Sequence, residues 1–298
     1  MNYVRTPLLK HDTNHFFHLT FLLFGRSWRN VDKVYDELKS YHDKIAKKNR
    51  RKKLLVFFIQ ILIIIIFFIA WELLSHRRII DPLLFSAPTK IYDLFISKIA
   101  DGSIYHDAMT TITETLVGFI LGTILGLVLA IILWWYPFTS KVLDPFLVVF
   151  NAMPKVALGP IIIVIFGPSY SSIIAMGIII SFVITALVIY QAFLQVDENY
   201  VKVIKSFGAT KTQIFKNVIF PASIPTVIST LKVNVGLAWV GVIVGEFLVS
   251  KSGLGYLIVY GFQVFNFTLV LMSVLIISVC AGVMYIIVEY IERKTLKK

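Results

Sequence analysis

Long apolar runs separated by shorter polar segments form the dominant pattern along the 298-residue chain. A helix needs about 20 apolar residues to cross the hydrocarbon of a membrane. Six runs approach or exceed this length, at residues 54–74, 111–135, 145–166, 171–195, 225–249 and 268–291. Because hydrocarbon offers no water to backbone N–H and C=O groups, each run is predicted to be a helix. The predicted fold class is therefore all-α, a polytopic membrane protein with about six transmembrane helices.

Composition supports this fold class and narrows the possible partners. Hydrophobic residues make up 57% of the chain and charged residues 15%, which is more apolar than a soluble globular domain can bury. The net charge is +12, yet the basic residues flank the apolar runs and form no patch on a polar domain. They favour anionic lipid of the membrane as the partner, and nucleic acid is not expected.

The distribution of charge also predicts the orientation. If the N-terminus is cytoplasmic, the segments on that side carry 22 Lys and Arg residues, whereas the opposite loops carry five. Basic residues are enriched in the cytoplasmic loops of membrane proteins. We therefore expect a multi-pass membrane protein with both termini in the cytoplasm.

Two parts are predicted along the chain, a basic cytoplasmic extension at residues 1–53 and a transmembrane domain at residues 54–298. The extension holds thirteen Lys and Arg against five Asp and Glu. Apolar residues recur there at steps of three and four: Trp28, Val31, Val34, Tyr35, Leu38, Tyr41 and Ile45. This spacing predicts an amphipathic helix on the inner membrane surface. The alternative is a solvated, partly ordered tail.

Glycines recur every fourth residue in two of the predicted spans, at Gly118, Gly122 and Gly126 and at Gly241 and Gly245. Residues four apart lie on one face of a helix, and small residues there let two helix backbones approach closely. These faces are predicted to pack against other helices, inside the bundle or between two copies of the chain.

Residues for catalysis or metal binding are scarce. The chain contains no G-x-x-x-x-G-K-[ST] motif, so we expect no nucleotide hydrolysis and no cofactor on this chain. All six histidines lie outside the predicted spans, and the single cysteine excludes an internal disulfide. No catalytic residue and no metal site is predicted, so the chain is not expected to be an enzyme.

The one long polar segment in the C-terminal half is residues 197–225. Residues 200–207 are predicted to form a short helix that ends at Gly208, since glycine adopts the left-handed conformation easily. Thr210 is predicted to begin a second helix as its N-cap, with Gln213 completing a capping box. The segment is thus expected to be two short helices joined at a glycine.

The end of this segment and its aromatic residues suggest a role. Pro221 and Pro225 are expected to close the segment and to start the next span. The predicted knob presents Phe207 and Phe215 among lysines, which favours docking into a groove of another protein. An ordinary cytoplasmic hairpin is the alternative.

The same residues resemble a known motif, the EAA loop of ABC importer permeases. The resemblance covers six positions at matching spacing: Gly208, Ala209, Phe215, Val218, Pro221 and Pro225. In that family the loop is a coupling helix seated in a cleft of the cytoplasmic ATPase subunit. The resemblance therefore implies that ATPase coupling involves Lys202, Lys205, Phe207, Gly208, Ala209, Phe215, Val218, Pro221 and Pro225. Lys202 departs from the pattern, because it stands where the family has glutamate.

The resemblance extends over about residues 80–293. The stretches AMPKVALGPIIIVIFG at 152–167 and GEFLVSKSGLGYLI at 245–258 are similar to segments of the nitrate, sulfonate and taurine permeases. A second departure is Glu114, where a basic residue is expected. The resemblance implies that residues 54–298 are a permease domain of a bacterial cell (inner) membrane, with a bundle like that of type I ABC importer permeases. It also implies three kinds of partner: a second permease copy in a homodimer, two ATPase subunits that use ATP, and an extracytoplasmic substrate-binding protein.

Charges and breaks within the spans indicate a substrate path. Pro154, with Gly159 and Pro160, interrupts the third run, and a broken helix frees backbone groups that must face protein or a water-filled path. Lys155 follows the break directly, and a lysine at that depth costs about 2.5–3.5 kcal/mol and usually marks a pathway or a paired charge. The candidate residues of the path are Pro154, Lys155, Lys232 and Glu246. An anion such as a sulfonate, taurine or nitrate is the expected substrate.

Two other functions remain open from the residues alone. A secondary transporter driven by an ion gradient is suggested by the broken third run, although such proteins usually need acids deep in the membrane. An interaction or scaffold protein is suggested by the basic extension, which would then recruit a partner.

Overall fold

The computed structural model describes residues 28–296, and the secondary structure of this part is helical. It divides into two units, residues 1–70 and 71–298. In chain order the helices are α1 (Trp28–His76), α2 (Pro88–Ala100), α3 (Ser103–Trp135), α4 (Pro137–Ala152), α5 (Gly159–Phe166), α6 (Tyr170–Leu194), α7 (Glu198–Ser206), α8 (Lys211–Val249), α9 (Leu254–Gln263) and α10 (Phe267–Leu296).

The prediction of about six transmembrane helices is confirmed. Five helices of the described part are long and apolar enough to cross a membrane, and they belong to α1, α3, α6, α8 and α10. A sixth crossing is present if α4 and the segment Lys155–Phe166, an apolar pair bent by 97°, form one span. The third run is therefore broken, as its prolines and glycine predict.

The first unit, as far as it is described, is the greater part of α1. The helix expected in the basic extension is present, but it continues without interruption past residue 53 into the first apolar run. No helix end therefore separates the extension from the span. Of the extension, residues 1–27 lie outside the described part, and its placement on the membrane surface stays a prediction.

In the second unit, α6 is the central helix and packs between α3 and α8. Gly118 of α3 comes so close to α6 that a Cβ atom there would lie 3.4 Å from the Cα of Gly177. From α8, a Cβ on Gly241 would lie 2.7 Å from the same Cα. Both glycine faces thus pack inside the bundle as predicted, and they meet the same glycine of α6.

A buried amide joins the same three helices further along. Asn234 of α8 is fully buried, and its Nδ2 lies 2.9 Å from Oγ1 of Thr123 on α3 and 2.7 Å from Oγ1 of Thr185 on α6. Hydrogen bonds between helices fix their relative rotation in a membrane, where hydrophobic burial gives little preference. The contact therefore sets the register of α3, α6 and α8 at the core of the unit.

Candidate functional site

The polar segment folds locally as its sequence predicts. Asp197 caps α7 by accepting a hydrogen bond from the backbone N–H of Asn199 at 2.8 Å. The helix ends at Ser206, and Gly208 in the turn after it has a φ of +77° and donates its N–H to the carbonyl of Lys205 at 2.9 Å. A side chain with a Cβ is strained at this φ, so glycine fits the turn between α7 and α8.

The second helix begins with the predicted capping box. The backbone N–H of Gln213 donates to Oγ1 of Thr210, and Oε1 of Gln213 accepts from the backbone N–H of Thr210 at 2.8 Å. Two backbone donors at the start of α8 are thereby satisfied by side chains. The start of the helix is fixed from within the segment itself.

The end of the segment differs from the prediction. Pro221 and Pro225 do not close the segment, because α8 runs through both of them from Lys211 to Val249. A π-helical turn at Phe215–Ile219 precedes Pro221, and the N–H of Phe220 there bonds to the carbonyl of Phe215. A wider turn accommodates the proline ring and its missing N–H without ending the helix. The second part of the polar segment, from Lys211, and the fifth span are consequently one continuous helix.

Phe215 is the aromatic anchor of this helix and not part of an exposed tip. Its ring centroid lies 5.0 Å from that of Trp134, 5.9 Å from that of Trp135 and 5.5 Å from that of Phe193. The expectation that Phe215 is presented to a partner is therefore wrong, since its ring is covered by the ends of α3 and α6. Val218 is buried as well.

Lys211 completes this anchor. Its Nζ lies 5.4 Å from the ring centroid of Trp134 and 5.6 Å from that of Trp135, and it donates to the carbonyl of Trp135 at 2.5 Å. A cation over aromatic faces is attracted to them, and here it also bonds to a carbonyl at the end of α3. Sequence reasoning missed the roles of Trp134 and Trp135, although a tryptophan pair at the end of a span is typical of the membrane interface.

Replacing Phe215 with alanine is expected to lower the free energy of unfolding by about 2–3 kcal/mol, since the ring is half-buried among four aromatic partners. Thermal unfolding of the purified full chain in detergent measures the change. Phe207→Ala on the same segment is the matched control, because that ring is exposed, and its unfolding curve should equal that of the wild type. Equal curves for both variants would contradict the anchor.

The exposed part of the segment is the outer face of α7 and the turn after it, which we call the α7 tip: Tyr200, Lys202, Val203, Lys205 and Phe207. Phe207 at its end is 85% exposed. Nζ of Lys202 lies 3.0 Å from Oε2 of Glu198, one turn earlier on the same exposed face. The tip thus presents an aromatic ring beside basic side chains. The segment that carries it is held in place by the aromatic contacts of Phe215.

The break in the third span places Lys155 as the sequence predicts. After Met153 and Pro154 the chain forms a short 3₁₀ helix, Lys155–Leu158, before α5 begins. Lys155 is half-buried, and its Nζ donates to the carbonyl of Asn151 at 3.0 Å. No acidic side chain among residues 28–296 forms an ion pair with it. The ammonium group therefore keeps hydrogen-bonding capacity for a further partner.

The other two candidates of the path have partners inside the bundle. Nζ of Lys232 lies 2.8 Å from Oε2 of Glu292, which pairs α8 with α10. Glu246 is 1% exposed and accepts from Oγ1 of Thr111 at 2.6 Å and from the N–H of Gly255 at 2.5 Å. The expected pairing of Glu246 with a basic group is not found among the described residues, and its burial removes it from an open exit. These contacts account for the charged side chains of both residues inside the bundle, so neither of them requires a bound substrate.

Together the bent span, the anchored polar segment and the crossing helices define a polytopic helical membrane protein. Residues 122–297, more than half of the chain, match the family described as the binding-protein-dependent transport system inner membrane component. The chain belongs to this family, and it is the permease subunit of an ABC importer.

Relatives and solved structures agree with this assignment. The chain is 27% identical to the formylaminopyrimidine transport permease protein of Halalkalibacterium halodurans, over 63% of this chain and 74% of the relative. It is 26% identical to the putative aliphatic sulfonates transport permease protein of Bacillus subtilis, over 76% of this chain and 82% of the relative. The structure of a bacterial ABC transporter that imports the acidic polysaccharide alginate superposes with a TM-score of 0.59 at 16% identity, over 84% of this chain and 99% of that chain. This last likeness concerns the fold, which is that of type I ABC importer permeases.

Proposed function

We propose that the chain works as a homodimer with two ATPase subunits and an extracytoplasmic substrate-binding protein. ATP is bound and hydrolysed on the ATPase subunits, and this chain needs no cofactor of its own. Both termini and the α7 tip lie in the cytoplasm, where the tip enters a cleft of the ATPase. The exposed Phe207 ring and the anchor behind it support this docking surface, since a projecting aromatic residue on a rigid base suits a buried contact.

The basic extension, residues 1–53, is accessory in this proposal. Lys44, Lys47, Lys48, Arg51 and Lys52 lie together along α1, directly before the first apolar run. Basic residues immediately before a span are attracted to anionic lipid of the cytoplasmic leaflet. Uptake by a chain that lacks residues 1–45 tests whether the extension is accessory.

The substrate is proposed to be a small anion such as a sulfonate, taurine or nitrate. The observation that carries this proposal is Lys155, which stands at the break of the third span with no acidic partner in the described part of the chain. The name of the Bacillus subtilis relative supports the same class. The formylaminopyrimidine relative favours a second candidate, a neutral heterocycle, for which a lysine on the path has no evident use.

Replacing Lys155 with glutamine is expected to lower the rate of anion uptake about 10-fold to 100-fold, because a charge-assisted hydrogen bond contributes about 1.5–3 kcal/mol. The measurement is ATP-driven uptake of radiolabelled taurine, an alkanesulfonate and nitrate into proteoliposomes that contain the permease, its ATPase and its binding protein. Lys155→Arg is the matched control and should retain most of the uptake.

The outcomes separate the proposals. Uptake of a neutral aminopyrimidine that is insensitive to Lys155→Gln would contradict the anion and leave the permease intact. Uptake that follows an ion gradient without ATP would instead favour a secondary transporter. ATP hydrolysis by the purified chain alone would contradict the proposal that separate subunits hydrolyse ATP.

A further inference from the structure

Two carboxyl groups meet in the interior of the bundle where α3 packs against α8. Glu114 is 2% exposed and Glu246 is 1% exposed. Glu114 lies one turn after Thr111 on the same face of α3, and the hydroxyl of Thr111 bonds to Glu246, so the two carboxyl groups share one buried space. Two negative charges in such a space repel strongly and lose their hydration as well. The pair therefore requires a compensating group.

Glu246 uses both of its oxygens as acceptors. Oε1 accepts from the hydroxyl of Thr111 and Oε2 accepts from the backbone N–H of Gly255. The same hydroxyl oxygen accepts from the N–H of Leu254 at 2.8 Å, and Asp107 accepts from the N–H of Gly253 at 2.8 Å. These bonds hold the turn before α9 against α3. An acceptor-only role is that of an ionised carboxylate.

The turn is built closely around this carboxylate. A Cβ on Gly253 would lie 2.4 Å from Oε1 of Glu246, and a Cβ on Gly255 would lie 2.6 Å from Oε2. Gly253 also has a φ of +110°, which favours glycine. The backbone therefore reaches the carboxylate directly, and the turn has no space for a cation between them.

Glu114 has the opposite character, because neither of its oxygens has a hydrogen-bond partner in the described part of the chain. An ionised carboxylate with no donor in a buried site is strongly unfavourable. A protonated carboxyl has an O–H to donate, and the adjacent acceptor is Glu246. One proton between the two groups satisfies both.

The elements packed around the pair supply no positive charge. No Asp, Glu, Lys, Arg or His occurs in α6 or in α9, and α10 has none before Glu289. On α3, Asp107 accepts from Gly253 and His106 is exposed. On α8, Lys232 pairs with Glu292, and Lys251 beyond the end of the helix is exposed. Among the described residues, neither Glu114 nor Glu246 forms an ion pair with a basic side chain.

We propose that Glu114 and Glu246 form a buried proton-binding site, in which the carboxyl of Glu114 donates its proton to the carboxylate of Glu246. The pair then carries one negative charge, which Thr111 and the N–H of Gly255 stabilise. Loss of the proton places two carboxylates together and weakens the attachment of the turn before α9 to α3. The position of Glu114 where a basic residue is expected fits this role, since the carboxylate of Glu246 lacks a cation and takes a proton instead.

The test is the effect of pH on the stability of the full chain, with Glu114→Gln as the main variant. In this proposal the folded chain holds a proton that the unfolded chain releases near the ordinary glutamate pKa of about 4.3. The free energy of unfolding therefore falls as the pH rises. We expect the unfolding midpoint of the wild type to fall by about 2 °C per pH unit above about pH 5 relative to Glu114→Gln. Glutamine keeps the shape and the donor but has no proton to lose.

Two further variants make the result specific. Glu289→Gln changes a glutamate that pairs with Arg293 near the end of α10, and it should keep the pH dependence of the wild type. Glu114→Ala also removes the proton, so it should lack the additional pH dependence of the wild type, as Glu114→Gln does. Infrared spectra should contain the carbonyl stretch of a protonated carboxyl in the wild type, and this band should be absent from Glu114→Gln.

Identical pH profiles for the wild type and Glu114→Gln, or the same carboxyl band in both, would overturn the proposal. A midpoint of the wild type that rises with sodium or potassium at constant pH, but not in Glu114→Gln, would overturn it in favour of a monovalent cation. None of these results depends on the substrate or on the ATPase, so the proposed transport function can fail or hold independently.

Discussion

Replacing Phe207 with alanine is expected to abolish ATP-driven uptake while the chain remains folded. The ring is 85% exposed at the end of α7, so its loss removes no internal packing. An aromatic side chain buried in an interface contributes about 2–4 kcal/mol to binding, which corresponds to about 30-fold to 1000-fold in affinity. The measurements are the affinity of the ATPase subunit for the reconstituted permease and the rate of ATP-driven uptake.

Two controls accompany this variant. Phe207→Leu keeps an apolar side chain at the same position and should retain part of the affinity. Thermal unfolding of Phe207→Ala should match that of the wild type, in contrast to Phe215→Ala, whose ring lies in the aromatic anchor. Uptake by Phe207→Ala at the rate of the wild type would contradict docking through this ring.

Replacing Gly241 with valine is expected to prevent stable folding of the bundle. Even a single Cβ there would lie 2.7 Å from the Cα of Gly177 and 2.8 Å from the carbonyl oxygen of Met176. These are backbone atoms, so α8 and α6 must separate along their crossing, and the added methyl groups increase the separation. Overpacking of this kind costs about 1–3 kcal/mol or more, and here it also moves the hydrogen bonds of Asn234.

The matched control is Gly236→Val on the same helix, because a Cβ on Gly236 meets no atom within 4 Å. Its yield of folded protein and its unfolding midpoint should resemble those of the wild type. The two variants are compared by size-exclusion chromatography and by thermal unfolding of the full chain. A monodisperse, cooperatively unfolding Gly241→Val would show that the helix crossing tolerates a wider separation.

Local signals in the sequence predicted the local structure well. The lengths of the apolar runs predicted the crossings, and the Gly208 turn and the Thr210 capping box depend on residues only a few positions apart. The break after Pro154 has the same origin, since proline and glycine act on the backbone where they stand. The glycine faces of α3 and α8 were predictable because spacing alone places them on one side of a helix.

The errors concern contacts between distant parts of the chain. Phe215 is covered because Trp134 ends its helix beside it, about 80 residues earlier, and no spacing in the sequence carries that information. Glu246 is buried for the same reason, since its partner Thr111 comes from α3, 135 residues earlier. The prolines of α8 were misread because a π-helical turn, which has no clear sequence signal, accommodates Pro221.

The continuity of α8 has a geometric consequence for transport. From its contact with Gly177 at Gly241, the helix extends about 45 Å back to Lys211 and about 12 Å onward to Val249, at 1.5 Å per residue. A tilt about this crossing therefore moves the end beside the α7 tip about four times as far as the opposite end. A large displacement beside the α7 tip therefore accompanies only a small displacement beside Glu246.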